Sequence, residues 1–192
     1  VDAETTQWWT DNVWPFCKIY SFANPLKQLC MQIFGLTYEQ CYGTNEQKNS
    51  LTALLWEDMP DIDKYHLGRT GRMTAREVLQ YGGTNIFRKM YPRSWIDATI
   101  KREILIEQSE LAVLDDVRFS DEVEDIQKNG GKVIRLLRSP SNDDVHSSEN
   151  DLDPDRFDQD KFDKIIDNRE MTINQQNDEV LKCLQSWGYL PS

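Results

Sequence analysis

The stretch that decides the fold is Leu111–Arg138, LAVLDDVRFSDEVEDIQKNGGKVIRLLR. Its first part, Leu111 to Val117, is an apolar run carrying Asp115 and Asp116 near its end. That is the pattern of a short strand buried on both faces. Ser120 then starts a helix with Val123 and Ile126 inward, and Gly130-Gly131 closes it, since glycine takes the left-handed turn that ends helices. Lys132 to Arg138 is the next strand. A strand–helix–strand unit of this size predicts a right-handed parallel crossover. The expected class is α/β, built on an open parallel sheet.

Upstream, Cys17 to Ala23 reads as another strand. Asn24 is expected to cap a helix with Pro25 at its first position, an apolar stripe of Leu26, Leu29, Cys30, Ile33 and Phe34, and a stop at Gly35. From Thr37 to Gly71 the signals are mixed and polar, which predicts loops and short helix. Thr74 and Glu77 form a capping box flanked by the Met73/Val78 staple, so a helix should run to about Tyr81 and be interrupted at Gly82-Gly83. A further helix starts at Ser94 with Trp95, Ile96, Ile100, Ile104 and Leu105 inward. Phe162 to Asp167 reads as one more strand and Asp178 to Trp187 as a closing helix.

Composition narrows the function. At 192 residues the chain suits one domain, or one with an inserted subdomain. No stretch approaches the roughly 18 apolar residues that span a bilayer, and Val1-Asp2-Ala3-Glu4 lacks the order of a signal peptide. Cys17, Cys30, Cys41 and Cys183 show no C-x-x-C pair and read as reduced thiols of a cytoplasmic protein. His66 and His146 lie too far apart to suggest a zinc enzyme. A net charge of -11 argues against broad nucleic-acid or anionic-membrane binding. Within it, residues 64–102 hold nine Lys or Arg and two acids, whereas 139–163 hold nine acids and two bases. Most of these charges belong on a solvated face. An arginine-weighted cluster in an acidic protein also suits a small phosphorylated ligand, because guanidinium matches phosphate in two-pronged geometry.

In open parallel sheets ligands sit beyond the carboxyl ends of the strands. The residues expected there are Ser21 and Phe22, then Asp116 and Arg118, then Arg138 and Ser139. A carboxylate beside arginines suits phosphoryl transfer: Asp116 would hold Mg²⁺, directly or through water, and the arginines would offset charge on the transferring group. A structural Asp116–Arg118 ion pair is the bland alternative.

The word Asp116-Val117-Arg118-Phe119 with Glu122, then Gly130-Gly131-Lys132-Val133-Ile134-Arg135 and Arg138, resembles the second half of the phage-type deoxynucleoside monophosphate kinase family. Tyr20-Ser21-Phe22-Ala23-Asn24-Pro25-Leu26-Lys27 is similar to that family's "FAdPLK" segment. Arg76-Glu77-Val78-Leu79-Gln80-Tyr81-Gly82-Gly83-Thr84, with Arg88 and Trp95 behind it, resembles its substrate-side helix. His146-Ser147-Ser148-Glu149 resembles its H-x-S-E segment, and Asp167-Asn168 its late strand end.

The resemblance covers roughly residues 18 to 187. It implies a three-layer P-loop kinase-like fold with a helical substrate-binding region at 36–108, acting on a deoxynucleoside monophosphate with ATP and Mg²⁺. Arg76, Arg88 and Arg118 would hold the substrate phosphate, Gln80 and Trp95 would line the base and sugar pocket, and Arg138 would sit near the phosphates of ATP. Trp95 also suits a core position, Gln80 a turn cap, Arg88 a solvated helix face, and His146 local structure in an acidic loop. The implied partners are small nucleotides in the cytoplasm, the host's if the chain is phage-encoded, with a homodimer left open.

One part of the family pattern is missing. Its members open with a glycine-rich phosphate loop between a strand and a helix. Here the first glycine is Gly35, and the sole Gly-Lys, Gly131-Lys132, lies between a helix and a strand. Three readings are open: the loop lies upstream of Val1, which is favoured; the chain binds nucleotide without turning it over; or only the fold is shared. On the first, residues 2–16, with Trp8, Trp9 and Trp14, are the remainder of the helix after that loop.

Overall fold

The computed structural model describes residues 4, 7, 16–60, 68–138 and 151–190. The tryptophan-bearing segment before residue 16 and both histidines lie outside them. The chain divides into two compact units, residues 1–116 and 117–192.

The first unit runs β1 (Cys17–Tyr20), α1 (Ala23–Phe34), α2 (Tyr38–Tyr42), α3 (Asn45–Lys48), β2 (Leu51–Leu55), β3 (Arg72–Thr74), α4 (Ala75–Gln80), α5 (Ser94–Ile96), α6 (Leu105–Glu107) and β4 (Leu111–Leu114). Wider, π-type turns extend α4 through Tyr81–Arg88 and join α5 to α6 through Asp97–Ile104. β1 and β4 pair in parallel, Cys17 opposite Leu111 and Tyr20 opposite Leu114. β2 and β3 form an irregular antiparallel pair. Phe22, Leu26, Cys30, Cys41, Trp56, Met73, Val78, Tyr81, Ile96 and Ile100 are buried around them.

Three local expectations change. α1 begins at Ala23, before Asn24, which puts Pro25 in the first turn, where a missing N–H leaves no helical bond unmade. Asn24 is not the cap; its side-chain oxygen accepts from the Tyr42 hydroxyl instead. Gly35 does end the helix, at φ +67°.

The described residues 37–60 hold more regular structure than their polarity suggests. Thr37/Gln40 and Thr44/Gln47 each form a capping box, and β2 comes next. β2 is hard to read because two of its three leucines face outward: Leu51 and Leu55 are exposed while Thr52 is buried and donates to the Met73 carbonyl at 2.9 Å.

Gly82-Gly83 does not interrupt the helix after the Thr74/Glu77 box. Both glycines are buried, and a Cβ on Gly83 would lie 2.7 Å from Leu26 Cδ2. Here glycine serves the close packing of helical backbone against α1 rather than a break.

The second unit contains α7 (Ser120–Lys128), β5 (Ile134–Leu136), β6 (Lys164–Ile166) and α8 (Ile173–Ser186). β5 and β6 pair in parallel, Ile134 opposite Lys164 and Leu136 opposite Ile166. Their core is Val123, Val133, Leu152, Phe157 and Phe162, with Val117 and Ile126 against it. α8 starts before the expected Asp178, at a Thr172/Gln175 capping box.

Part of the acidic 139–163 segment is structural rather than merely solvated. Asp151 accepts from the Ser120 N–H, and Asp163 from the Val133 N–H, the Gln127 amide and Lys132.

The expected single parallel sheet is replaced, among the described residues, by two-stranded pairs. β4 and β5 do not pair: β4 takes the distant β1 as its partner, whereas β5 pairs with the next strand, β6. β4 is four residues long and Val113 is exposed, so the apolar run does not give a strand buried on both faces. The fold is mixed helix with small parallel sheets, in keeping with an α/β kinase-like class. Among the described residues no helix is long and apolar enough to cross a membrane. All four cysteines are free thiols.

Candidate active site

The site is built at the carboxyl ends of β1 and β4. Asp116 lies just past β4, and its carboxylate reaches back to the turn that opens α1. Oδ2 accepts from Ser21 Oγ at 2.6 Å and from the Ala23 N–H at 2.9 Å, while Oδ1 accepts from the Phe22 N–H at 2.7 Å. The α1 N-terminus is thus capped by a carboxylate nearly a hundred residues away, which also sits well in the helix dipole.

Three donors occupy most of the roughly four acceptor positions of a carboxylate. Asp116 therefore has little left for a metal. Asp115 differs: it is exposed, and its carboxyl is pushed above its ordinary range by burial of its inner surroundings and then by the Asp116 charge.

Lys27, one turn into α1, faces these acids. Desolvation lowers its pKa, Lys48 lowers it further, and Asp116, Cys41 and Asp115 pull it back up. Its ammonium lies 4.6 Å from the centre of the Tyr42 ring. In the sequence Lys27 stands out only as the last residue of the Tyr20–Lys27 segment. The signal that would have found it is its spacing, four residues past the strand-end turn, which returns it to the face that opens α1.

α3 carries Lys48 and also meets Arg76. Arg76 projects from the first turn of α4, fixed by the Thr74/Glu77 box (Glu77 Oε2 accepts from the Thr74 N–H at 2.8 Å). Its Nε donates to Asn49 Oδ1 at 3.0 Å and a terminal nitrogen to Asn45 Oδ1 at 2.9 Å. Through α3, the arginine and the strand-end lysine belong to one constellation: Arg76, Lys48, Lys27, Asp115 and Asp116.

The other expected residues of this unit sit around it. Gln80 ends α4 and Arg88 ends the turn after it, both half-buried. Trp95 is buried; its indole N–H donates to the Gly83 carbonyl at 3.1 Å, and Phe87 stands edge-on to it. Those are the contacts of a packed side chain.

In the second unit Arg118 is exposed on the loop before α7. Its backbone N–H donates to Glu122 Oε2 at 2.8 Å, as does that of Phe119 at 3.0 Å, and Glu122 itself is buried. Arg138 lies beyond β5. Its backbone N–H donates to Asn168 Oδ1 at 2.7 Å, and one guanidinium nitrogen donates to the carbonyls of Asn168 and Met171, each at 2.5 Å, and of Arg169 at 3.1 Å.

The donor set bears on Mg²⁺. Among the described residues no group of three or more His, Cys, Asp or Glu is arranged to hold a metal. Magnesium at nucleotide sites needs only one or two carboxylates together with phosphate oxygens and water. Asp115 fits that demand, and Asp116 fits it only at the cost of its hold on α1.

No family model matches the chain, and no solved structure matches it. A protein of Acanthamoeba polyphaga mimivirus named "Putative deoxynucleotide monophosphate kinase" is 30% identical over 183 positions, spanning 86% of this chain and 82% of that protein. With that identity over most of both chains, and with its acids and basic residues gathered at strand ends, the chain belongs to the deoxynucleotide monophosphate kinase family.

Proposed function

We propose that the protein transfers the γ-phosphoryl group of ATP to the phosphate of a deoxynucleoside monophosphate, giving a deoxynucleoside diphosphate and ADP. The carrying observation is the constellation in the first unit: a half-buried lysine of lowered pKa beside two strand-end carboxylates, linked through α3 to an arginine. Phosphoryl transfer asks for positioning and charge stabilisation more than for a base, and that is what such a set supplies.

In this reading Arg76 and Arg88 of the first unit bind the acceptor phosphate and Gln80 and Trp95 border the base and sugar; of the second unit's arginines, Arg118 is assigned to substrate phosphate and Arg138 to the phosphates of ATP. Bound Mg²⁺ would offset charge on the phosphates, with Asp115 as its protein ligand and Asp116 holding the turn beneath it. Lys27, easily desolvated, adds a positive charge where phosphate oxygens converge. The protein works on free nucleotides in the cytoplasm.

The test is a coupled assay on the full-length protein with ATP, Mg²⁺ and each of the four deoxynucleoside monophosphates. ADP release with at least one of them is expected. No release above background with any of the four sinks the enzyme. Calorimetric binding of a monophosphate, abolished by Arg118→Ala, would then mark a nucleotide-binding protein that does not turn over.

A further inference from the structure

Among the described residues, several arginines meet a carboxylate: Arg69 meets Glu77, Arg93 meets Asp97, Arg135 meets Asp153 and Arg169 meets Asp167. Arg76 does not. Its two hydrogen bonds go to the amide oxygens of Asn45, the first residue of α3, and Asn49, its C-cap, which at i and i+4 lie on one face. A guanidinium has only donors, so each amide must offer its oxygen and keep its NH₂ as a further donor. The arginine is held at two points without any of its charge being cancelled.

A carboxylate there would bind Arg76 more tightly and neutralise it. An aliphatic residue would leave it loose. Only a neutral acceptor both orients the group and preserves its charge, and a cation ready for an anion needs both. We infer that Asn45 and Asn49 are positioning residues that keep Arg76 oriented, with its charge uncompensated, for the phosphate of the acceptor nucleotide. The inference rests on the kinase function proposed for this site.

The discriminating change is Asn→Asp, which keeps the size and the acceptor but adds charge. In full-length protein, Asn45→Asp with Asn49→Asp should leave thermal stability unchanged or raised, because Arg76 gains an ion pair. The same variant should raise KM for the deoxynucleoside monophosphate about tenfold, with kcat and KM for ATP nearly unchanged. Asn49→Gln, still neutral, should largely keep the normal KM. A purely structural pair would show the stability gain without the KM change.

A second readout needs no turnover: the thermal shift produced by inorganic phosphate. It should be present in the parent protein and reduced in both Asn45→Asp, Asn49→Asp and Arg76→Ala. If Arg76→Ala raises KM while the double Asp variant does not, the asparagines play no such part, though the kinase reading stands. If the parent shows no kinase activity but the phosphate shift still depends on the asparagines, the positioning role stands and the kinase reading falls. An equal phosphate shift in parent and variants, or none in the parent, overturns the inference whatever the assay gives.

Discussion

Each unit ends a parallel strand pair in a polar residue that ties the strand end to a neighbouring segment, and the two residues differ in charge. In the first unit it is Asp116, whose carboxylate takes three donors from the turn before α1. In the second it is Asn168, nearly fully buried, whose oxygen takes the Arg138 N–H and whose amide nitrogen donates to Gln176 Oε1 at 2.6 Å. A carboxylate can be kept at the first position because helix N–H groups and a nearby lysine compensate it. A buried neutral amide suits the second, because the cation there, Arg138, is satisfied by carbonyl oxygens. The same topological position is thus used once to place a negative charge and once to hold a positive one.

Removing each tie tests that comparison. Asp116→Ala orphans two backbone N–H groups and a hydroxyl at a helix start and should cost about 3 kcal/mol, read as a lower urea midpoint at unchanged slope. Asp116→Asn, which keeps one acceptor, should recover more than half of that. Asn168→Ala should cost about 2 kcal/mol, since two neutral partners lose their bonds at a buried site. If Asn168→Ala proves the costlier of the two, charge is not what separates the strand ends.

The smallest effect concerns pH and has opposite signs in the two units. Asp115 is raised above its ordinary range, so its ionised form is a cost that is present above that raised value and fades as pH falls. Asp115→Asn should therefore raise stability at neutral pH, by about 0.5 kcal/mol given its exposure, while activity is lost. At Asp163 burial pushes upward, but Lys132, Gln127 and the Val133 N–H outweigh it, and the net position is below ordinary. Its contribution is present above the unfolded carboxylate value and disappears as pH falls through the depressed one. Asp163→Asn should thus lose about 1 kcal/mol near neutrality and flatten the acid limb below the ordinary carboxylate range. Urea melts from neutral pH downward decide the signs.

What was legible in the sequence is what local chemistry dictates. The Thr74/Glu77 box, the Gly35 stop and the Ser120–Lys128 helix each depend on residues within one or two turns, and each forms where expected. The deceptive signals were those whose meaning depends on a distant neighbour. Gly83 reads as a helix breaker until Leu26 is found against it, and Asn24 reads as a cap until Asp116 takes that place. β2 hid because its buried residue is a threonine and two of its three leucines face outward.

The site divides in the same way. Which acids and arginines stand at the strand ends follows from strand and helix periodicity along the chain. How they are used depends on the folded chain: Asp116 is spent on the α1 turn, Asp115 is left beside it, Lys27 stands between these acids and Lys48, and Arg76 is gripped by two asparagines about thirty residues away. Hydrogen bonds and charge interactions of that kind act over a few ångströms in space, and a sequence orders residues only along the chain.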